Sequence, residues 1–135
     1  MKSISNLLSS VQKHHTKKIL VVENDPDLLY ILEEVFKEEG YECMMCKEVL
    51  DILPLARECQ PDLILLDYIL PNINGGELCN QLKREADTQA IPVIIYSAAP
   101  LAFLSLDNYG CDFFIPKPFD LDYLIERIKI LVPAF

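Results

Sequence analysis

The chain has 135 residues, of which 51% are hydrophobic and 24% are charged, as expected for one folded domain with a single core. Residues 18–135 carry 9 basic and 21 acidic side chains, and this net charge of −12 argues against binding to nucleic acid phosphates. The odd number of cysteines, five, does not favour a secreted disulfide framework. Because no segment resembles a signal peptide or a membrane span, we expect a cytoplasmic protein without membrane contact.

From residue 18 onward, short apolar runs alternate with segments of helical periodicity. The apolar runs predict strands at residues 18–23, 41–46, 62–66, 92–96 and 111–115. Helices are predicted from Pro26 to just before Gly40 and at residues 48–60, 75–85, 100–109 and 120–131. Asp25 should cap the first helix, and Pro54 should kink the second helix or delay its start. The polar residues 1–17 are expected to form a flexible N-terminal arm.

Five strands that alternate with five helices predict an α/β fold, with a doubly wound, five-stranded parallel sheet. In such sheets, ligands bind beyond the carboxyl ends of the strands. Polar residues occur where the apolar strands end: Glu23, Asn24, Asp25, Asp67, Ser97 and Lys117. Oxygen ligands suit a hard cation such as Mg²⁺, and a lysine and a hydroxyl would hold a phosphoryl group.

Four blocks of sequence carry a more specific resemblance: VVENDPD, LILLDYILPNINGGEL, VIIYSAA and FFIPKPF. In this order and spacing they resemble the signature blocks of response regulator receiver domains, and the likeness covers roughly residues 18–132. It implies a flavodoxin-like (βα)5 receiver domain over residues 18–135. It also implies a signalling protein that is not an enzyme. Because the chain ends at Phe135, just after the last predicted helix, we expect it to be stand-alone, with no output domain attached.

The resemblance identifies Asp67 as the residue that accepts a phosphoryl group from a sensor histidine kinase or a histidine phosphotransfer protein. Glu23 and Asn24 match the family's acidic pair. Together with Asp67 and the backbone carbonyl of Ile69, they are expected to bind Mg²⁺ as the cofactor.

The same resemblance assigns Lys117 as the active-site lysine, which precedes a cis bond to Pro118. Ser97 corresponds to the switch hydroxyl and Phe114 to the aromatic switch residue. The last two helices and the last strand are expected to form the face on which a downstream protein partner docks.

Two features depart from the family pattern. Asn24 is an amide where family members usually have Asp, so one negative charge is missing and Mg²⁺ should bind more weakly. Ile69 and Ala99 occupy the positions that flank the water attacking the phosphorylated aspartate. Since neither side chain can form a hydrogen bond, slow self-dephosphorylation is predicted.

Three alternative interpretations follow from the residues. A receiver-like module that acts only through protein contacts, without phosphorylation, is favoured by Asn24 alone. Cys43 and Cys46 have the spacing of a redox pair, but residues three apart in a strand point to opposite faces of the sheet. His14 and His15 lack partners at metal-ligand spacing and are interpreted as residues of the arm.

Overall fold

The structure, a computed structural model, describes residues 16–98 and 109–133. Its strands are β1 Lys18–Val22, β2 Glu42–Cys46, β3 Leu63–Asp67, β4 Val93–Ser97 and β5 Phe113–Pro116. Its helices are α1 Pro26–Glu38, α2 Leu53–Cys59, α3 Gly75–Lys83 and α4 Leu121–Leu131. The strands form one parallel sheet in the order β2-β1-β3-β4-β5, which confirms the predicted doubly wound α/β fold. Most of the predicted arm and nearly all of the predicted helix at residues 100–109 lie outside the described residues.

The sheet separates two hydrophobic clusters, one on each face. Side chains of α1 and α4 pack on one face, and side chains of α2 and α3 pack on the other. Every residue of β3 and β4 is buried, because a parallel sheet with helices on both faces leaves its central strands no contact with water. The continuous apolar runs in the sequence are a direct consequence of this double coverage.

The predicted helix at residues 48–60 is wrong at its start, because α2 begins only at Leu53. Two effects were predicted for Pro54, a kink or a delayed start. The structure shows the delayed start, because Pro54 lies in the first turn of α2. The side chain of Gln81 in α3 binds the preceding loop: it accepts a hydrogen bond from the Ile52 N–H (2.9 Å) and donates one to the carbonyl of Leu50 (3.0 Å). This tertiary contact satisfies backbone groups that a longer helix would have satisfied internally.

Polar caps begin three of the helices near the carboxyl edge of the sheet. Asp25 caps α1, as predicted, since its Oδ1 accepts a hydrogen bond from the Asp27 N–H at 3.0 Å. Asn74 caps α3 in the same manner. The prediction that Asp120 is the first residue of the last helix is wrong, because Asp120 caps α4, which begins at Leu121. These caps fix the loops that lead from each strand into the following helix.

Cys43 and Cys46 do not form a redox pair in this fold. Cys43 packs against the cluster beneath α1 and α4, and Cys46 packs against the opposite cluster, as predicted for residues three apart in a strand. Burial also raises the pKa of the Cys43 thiol to about 11, which disfavours the reactive thiolate. Among the described helices, none is both long and apolar enough to cross a bilayer.

Candidate functional site

The strand order brings the predicted polar residues to one edge of the sheet. β1, β3, β4 and β5 are consecutive neighbours, and their carboxyl ends lie side by side because all four strands are parallel. Glu23 follows β1, Asp67 is the last residue of β3, Ser97 is the last residue of β4, and Lys117 follows β5. Residues separated by up to 94 positions in the sequence therefore meet in one place.

Lys117 bridges the two buried carboxylates of this edge. Its Nζ lies 3.1 Å from Asp67 Oδ2 and 3.3 Å from Glu23 Oε1. Glu23 and Asp67 are only 1% and 5% exposed, so both charges have lost most of their hydration. A single ammonium group opposes two carboxylates, and the three side chains together carry a formal charge of −1.

Backbone groups orient the remaining oxygens of the two carboxylates. Glu23 Oε2 accepts a hydrogen bond from the N–H of Asn24 at 2.7 Å and a longer one from the N–H of Asp25 at 3.4 Å. Asp67 Oδ1 accepts a hydrogen bond from the N–H of Ile69 at 3.0 Å. The loops after β1 and β3 thus hold both carboxylates in fixed positions.

Burial raises the pKa of the Glu23 carboxyl above its ordinary value of 4.5. The neighbouring Asp67 carboxyl raises this pKa further, whereas the charge of Lys117 and the backbone hydrogen bond from Asp25 lower it. The causes that raise the pKa dominate, with burial the largest, so one lysine does not fully offset burial together with the repulsion between Glu23 and Asp67. An added cation would relieve this repulsion.

The donor atoms at this edge suit a hard divalent cation. A cleft of about 290 Å³ is lined by Glu23, Asn24, Asp25, Asp67, Ile69, Ala98 and Lys117. Among its lining residues are the carboxylates of Glu23 and Asp67 and the side-chain amide of Asn24, and Mg²⁺ prefers such oxygens while keeping several of its waters. The backbone carbonyl of Ile69 stays a predicted ligand. Within residues 16–98 and 109–133, no group of three or more acidic, histidine or cysteine side chains is arranged around a common point. The two carboxylates of Glu23 and Asp67 with neutral oxygens beside them are a donor set that fits Mg²⁺, which needs few protein ligands.

The ion network is formed by Glu23, Asp67 and Lys117, and the other predicted site residues lie around it. Ser97 is 1% exposed, and its carbonyl accepts a hydrogen bond from the backbone N–H of Lys117 at 2.8 Å. The Lys117–Pro118 peptide bond is cis, as predicted. Phe114 is half-buried in β5 and packs against the cluster of α2 and α3, on the face of the sheet away from Lys117. Ala99 lies outside the described residues.

Two glycines that were not among the predicted site residues shape the loop after Asp67. A Cβ atom on Gly75 would collide with the backbone carbonyl of Asp67, and a Cβ atom on Gly76 would collide with the ring of Tyr109. The N–H of Gly75 also donates to the carbonyl of Tyr68 at 2.9 Å. The paired glycines in the block LILLDYILPNINGGEL were the available signal, because glycine permits such close backbone approach.

A buried tyrosine, Tyr96, was also missed. The apolar run at residues 92–96 predicts only that Tyr96 is the last residue of a strand. In the structure its ring lies beneath the ammonium group of Lys117, with 4.8 Å between Nζ and the ring centroid. A polar aromatic residue directly before Ser97 was the signal that could have identified it.

Comparison with known proteins agrees with this geometry. A family model described as the response regulator receiver domain matches residues 19–129. The polar-differentiation response regulator DivK of Brucella ovis is 34% identical over 116 residues, which cover 84% of this chain and 94% of DivK. The DNA-binding dual master transcriptional regulator RpaA of Synechocystis is 29% identical over 117 residues, which cover 85% of this chain but only 48% of RpaA. The chain thus spans about half the length of that relative.

Solved structures give the same result. The response regulator protein TrrA of Thermotoga maritima, in complex with Mg²⁺-BeF, superposes with a TM-score of 0.77 at 28% identity, over 86% of this chain and 99% of TrrA. The family model alone covers most of the chain, and DivK matches nearly over its full length. The chain therefore belongs to the receiver domain family of two-component response regulators.

Proposed function

We propose that Asp67 accepts a phosphoryl group from the phosphohistidine of a sensor kinase or a phosphotransfer protein. The observation that carries this proposal is the pairing of the buried Asp67 carboxylate with the Lys117 ammonium group at 3.1 Å, beside Glu23 at the carboxyl edge of the sheet. A nucleophilic carboxylate next to a fixed cation is the arrangement that phosphoryl transfer requires.

In the proposed reaction, a carboxylate oxygen of Asp67 forms the new P–O bond while the P–N bond to the donor histidine breaks. The electron pair of the broken bond goes to the imidazole nitrogen. Lys117 offsets the negative charge on the phosphoryl oxygens, and the hydroxyl of Ser97 donates a hydrogen bond to one of them. The backbone N–H of Ile69, which already binds Asp67 Oδ1, keeps the carboxylate oriented for attack.

Glu23, Asn24, Asp67 and the carbonyl of Ile69 would hold Mg²⁺ in this site. When bound, the ion supplies positive charge next to the oxygens of the transferring group. The two carboxylates contribute a formal charge of −2, which Lys117 reduces to −1, so the site retains an attraction for a divalent cation.

Phosphorylation would be transmitted to a downstream protein through β5, α4 and the predicted helix at residues 100–109. We expect Ser97 and Phe114 to change position when Lys117 and Ser97 engage the phosphoryl group. On the described part of this face, Tyr123 is 44% and Ile130 58% exposed, and such large apolar side chains suit a protein contact. The acidic surface favours a protein partner over nucleic acid, and we place the domain in the cytoplasm, where histidine kinases deliver phosphoryl groups.

Intact-mass measurement after incubation with acetyl phosphate and Mg²⁺ tests the proposal. The wild type should gain the mass of one phosphoryl group, and Asp67→Asn should gain none. Asp87→Asn is the matched control, because it removes an exposed carboxylate that pairs with Arg57 outside the cleft. Equal labelling of Asp67→Asn and the wild type would refute the assignment.

A module that binds partners without being phosphorylated is the second candidate function. Asn24 is the observation that favours it, since an amide in place of a carboxylate weakens the cation site. A wild-type protein that stays unlabelled at saturating acetyl phosphate and Mg²⁺ would support this second function.

A further inference from the structure

Tyr96 shares the ion network's face of the sheet. It lies opposite Asp67 in the register between β3 and β4, and equivalent positions of parallel neighbours point to the same face. Its side chain belongs to the cluster beneath α1 and α4, is fully buried, and meets the ring of Phe119 edge-on at 5.4 Å between centroids. The ring therefore has one fixed position directly below the site.

The ring contributes to the placement of Lys117. The ammonium group lies 4.8 Å from the centroid of Tyr96, within the range of a cation–π interaction. Lys117 is thereby held by the Asp67 carboxylate, the Glu23 carboxylate and the face of an aromatic ring. An aliphatic residue at position 96 would fill the same space without attracting the cation.

The hydroxyl of Tyr96 has no hydrogen-bond partner among the described residues, although it is completely buried. Buried hydroxyls are normally paired, so this one needs an explanation. Burial is the largest cause that raises the pKa of Tyr96, followed by the charges of Glu23 and Asp67 and by the closeness of the Glu23 side chain, which stops short of hydrogen-bond geometry. The hydroxyl therefore lies beside Glu23, while the ring lies under the ammonium group of Lys117.

The Glu23 carboxylate is the acceptor to which the Tyr96 hydroxyl can donate a hydrogen bond. Its Oε1 is bound by Lys117 at 3.3 Å, whereas its Oε2 is bound by the backbone N–H groups of Asn24 and Asp25. A phosphoryl group on Asp67 would attract Lys117 and leave Oε1 of Glu23 without that partner. A donor already buried beside it could then replace the ammonium group.

We infer that Tyr96 is a positioning residue for the phosphorylated site: its ring orients Lys117, and its hydroxyl binds the Glu23 carboxylate once Lys117 turns to the phosphoryl group. This inference rests on the proposed function of Asp67. The tyrosine hydroxyl then has opposite effects in the two states. It lowers stability while it is unpaired in the free protein, and it adds a charge-assisted hydrogen bond in the loaded protein.

The substitution Tyr96→Phe separates these effects, because it removes only the hydroxyl. Beryllium fluoride with Mg²⁺, a mimic of the phosphoryl group, serves as the probe, and its affinity is measured by titration. We expect about tenfold weaker binding in Tyr96→Phe, with free-state stability in urea equal to or above that of the wild type. Tyr41→Phe, at the amino edge of the sheet, is the matched control and should leave probe affinity unchanged.

Each outcome has a distinct meaning. A wild type that does not bind the probe would refute the proposed function, whereas equally tight binding by wild type and Tyr96→Phe would overturn only the role of Tyr96. A loss of free-state stability in Tyr96→Phe would also overturn it, because the hydroxyl would then act in the fold. In wild-type protein labelled with ¹³C at the tyrosine Cζ atoms, the Tyr96 resonance should shift on loading, and a stationary resonance would contradict the inference.

Discussion

The substitution Asn24→Asp tests the charge balance of the cation site. It replaces an exposed amide at the rim of the cleft with a carboxylate of nearly the same shape. The formal charge contributed by the cation ligands changes from −2 to −3. Because the change is almost purely electrostatic, its effect on Mg²⁺ affinity follows from Coulomb's law.

The expected gain in binding free energy is about 1 kcal/mol. One negative charge about 5 Å from a divalent cation in water-like surroundings is worth about 1.7 kcal/mol, and the exposure of Asn24 justifies this strongly screened limit. Repulsion of the new carboxylate by Glu23, Asp25 and Asp67 lowers the net gain. A gain of about 1 kcal/mol corresponds to about fivefold tighter binding.

The same substitution should destabilise the metal-free protein, because a fourth carboxylate would then line the cleft beside those of Glu23, Asp25 and Asp67. Calorimetric titration with MgCl₂ measures the affinity, and urea unfolding with a chelator present measures the free energy of unfolding. Asn72→Asp is the control, since it introduces the same charge at an exposed position in the loop after β3 that does not line the cleft. If Asn24→Asp binds Mg²⁺ no more tightly than Asn72→Asp, Asn24 is not a ligand.

Two further predictions concern the same site. Ile69→Asn should speed the loss of the phosphoryl group about tenfold, or about 1.4 kcal/mol of barrier, because Ile69 cannot position an attacking water. Decay of the phosphorylated protein after removal of the donor measures this rate. Ile130→Asn is the control, because Ile130 is 58% exposed and Ile69 is 57% exposed. Equal lifetimes of the phosphorylated wild type and Ile69→Asn would contradict the reasoning. The raised pKa of Glu23 means that its protonated form favours folding, so wild-type stability is lost as the pH rises from 4.5 through the raised folded-state pKa. With a chelator present, the free energy of unfolding of Glu23→Gln should rise relative to that of the wild type as the pH increases through this range. If urea unfolding shows a difference in free energy that does not change with pH, the reasoning is refuted.

The strands were predictable because their burial is encoded locally. A parallel strand covered on both faces needs an unbroken apolar run, and Leu63–Asp67 and Val93–Ser97 are buried at every position. Pro54 predicted either a kink in the second helix or a delayed start, but the sequence did not decide between them, since the loop before Leu53 is bound by the side chain of Gln81, about thirty residues away. Such a long-range contact leaves no local pattern in the sequence.

The candidate site, like the fold, was predictable in part. The carboxyl ends of neighbouring parallel strands must meet, so the proximity of Glu23, Asp67 and Lys117 followed from the strand order. The role of Tyr96 did not follow, because an apolar run buried on both faces shows no alternation from which the direction of its side chain can be read. Only the packed sheet shows that its hydroxyl is buried and has no hydrogen-bond partner within residues 16–98 and 109–133.

Asn24 and Tyr96 act on the same residue of the site. With an amide at position 24, Glu23 is the only carboxylate besides Asp67 that lines the described cleft and lies close enough to Lys117 to pair with it. Its position therefore matters more here than in a site where two acidic residues share the cation. When Lys117 moves to the phosphoryl group, Glu23 would relax away from the cation unless another donor held its Oε1 atom. The Tyr96 hydroxyl lies beside Glu23 inside the core, so the loss of one charge at the rim increases the value of one hydrogen bond beneath it.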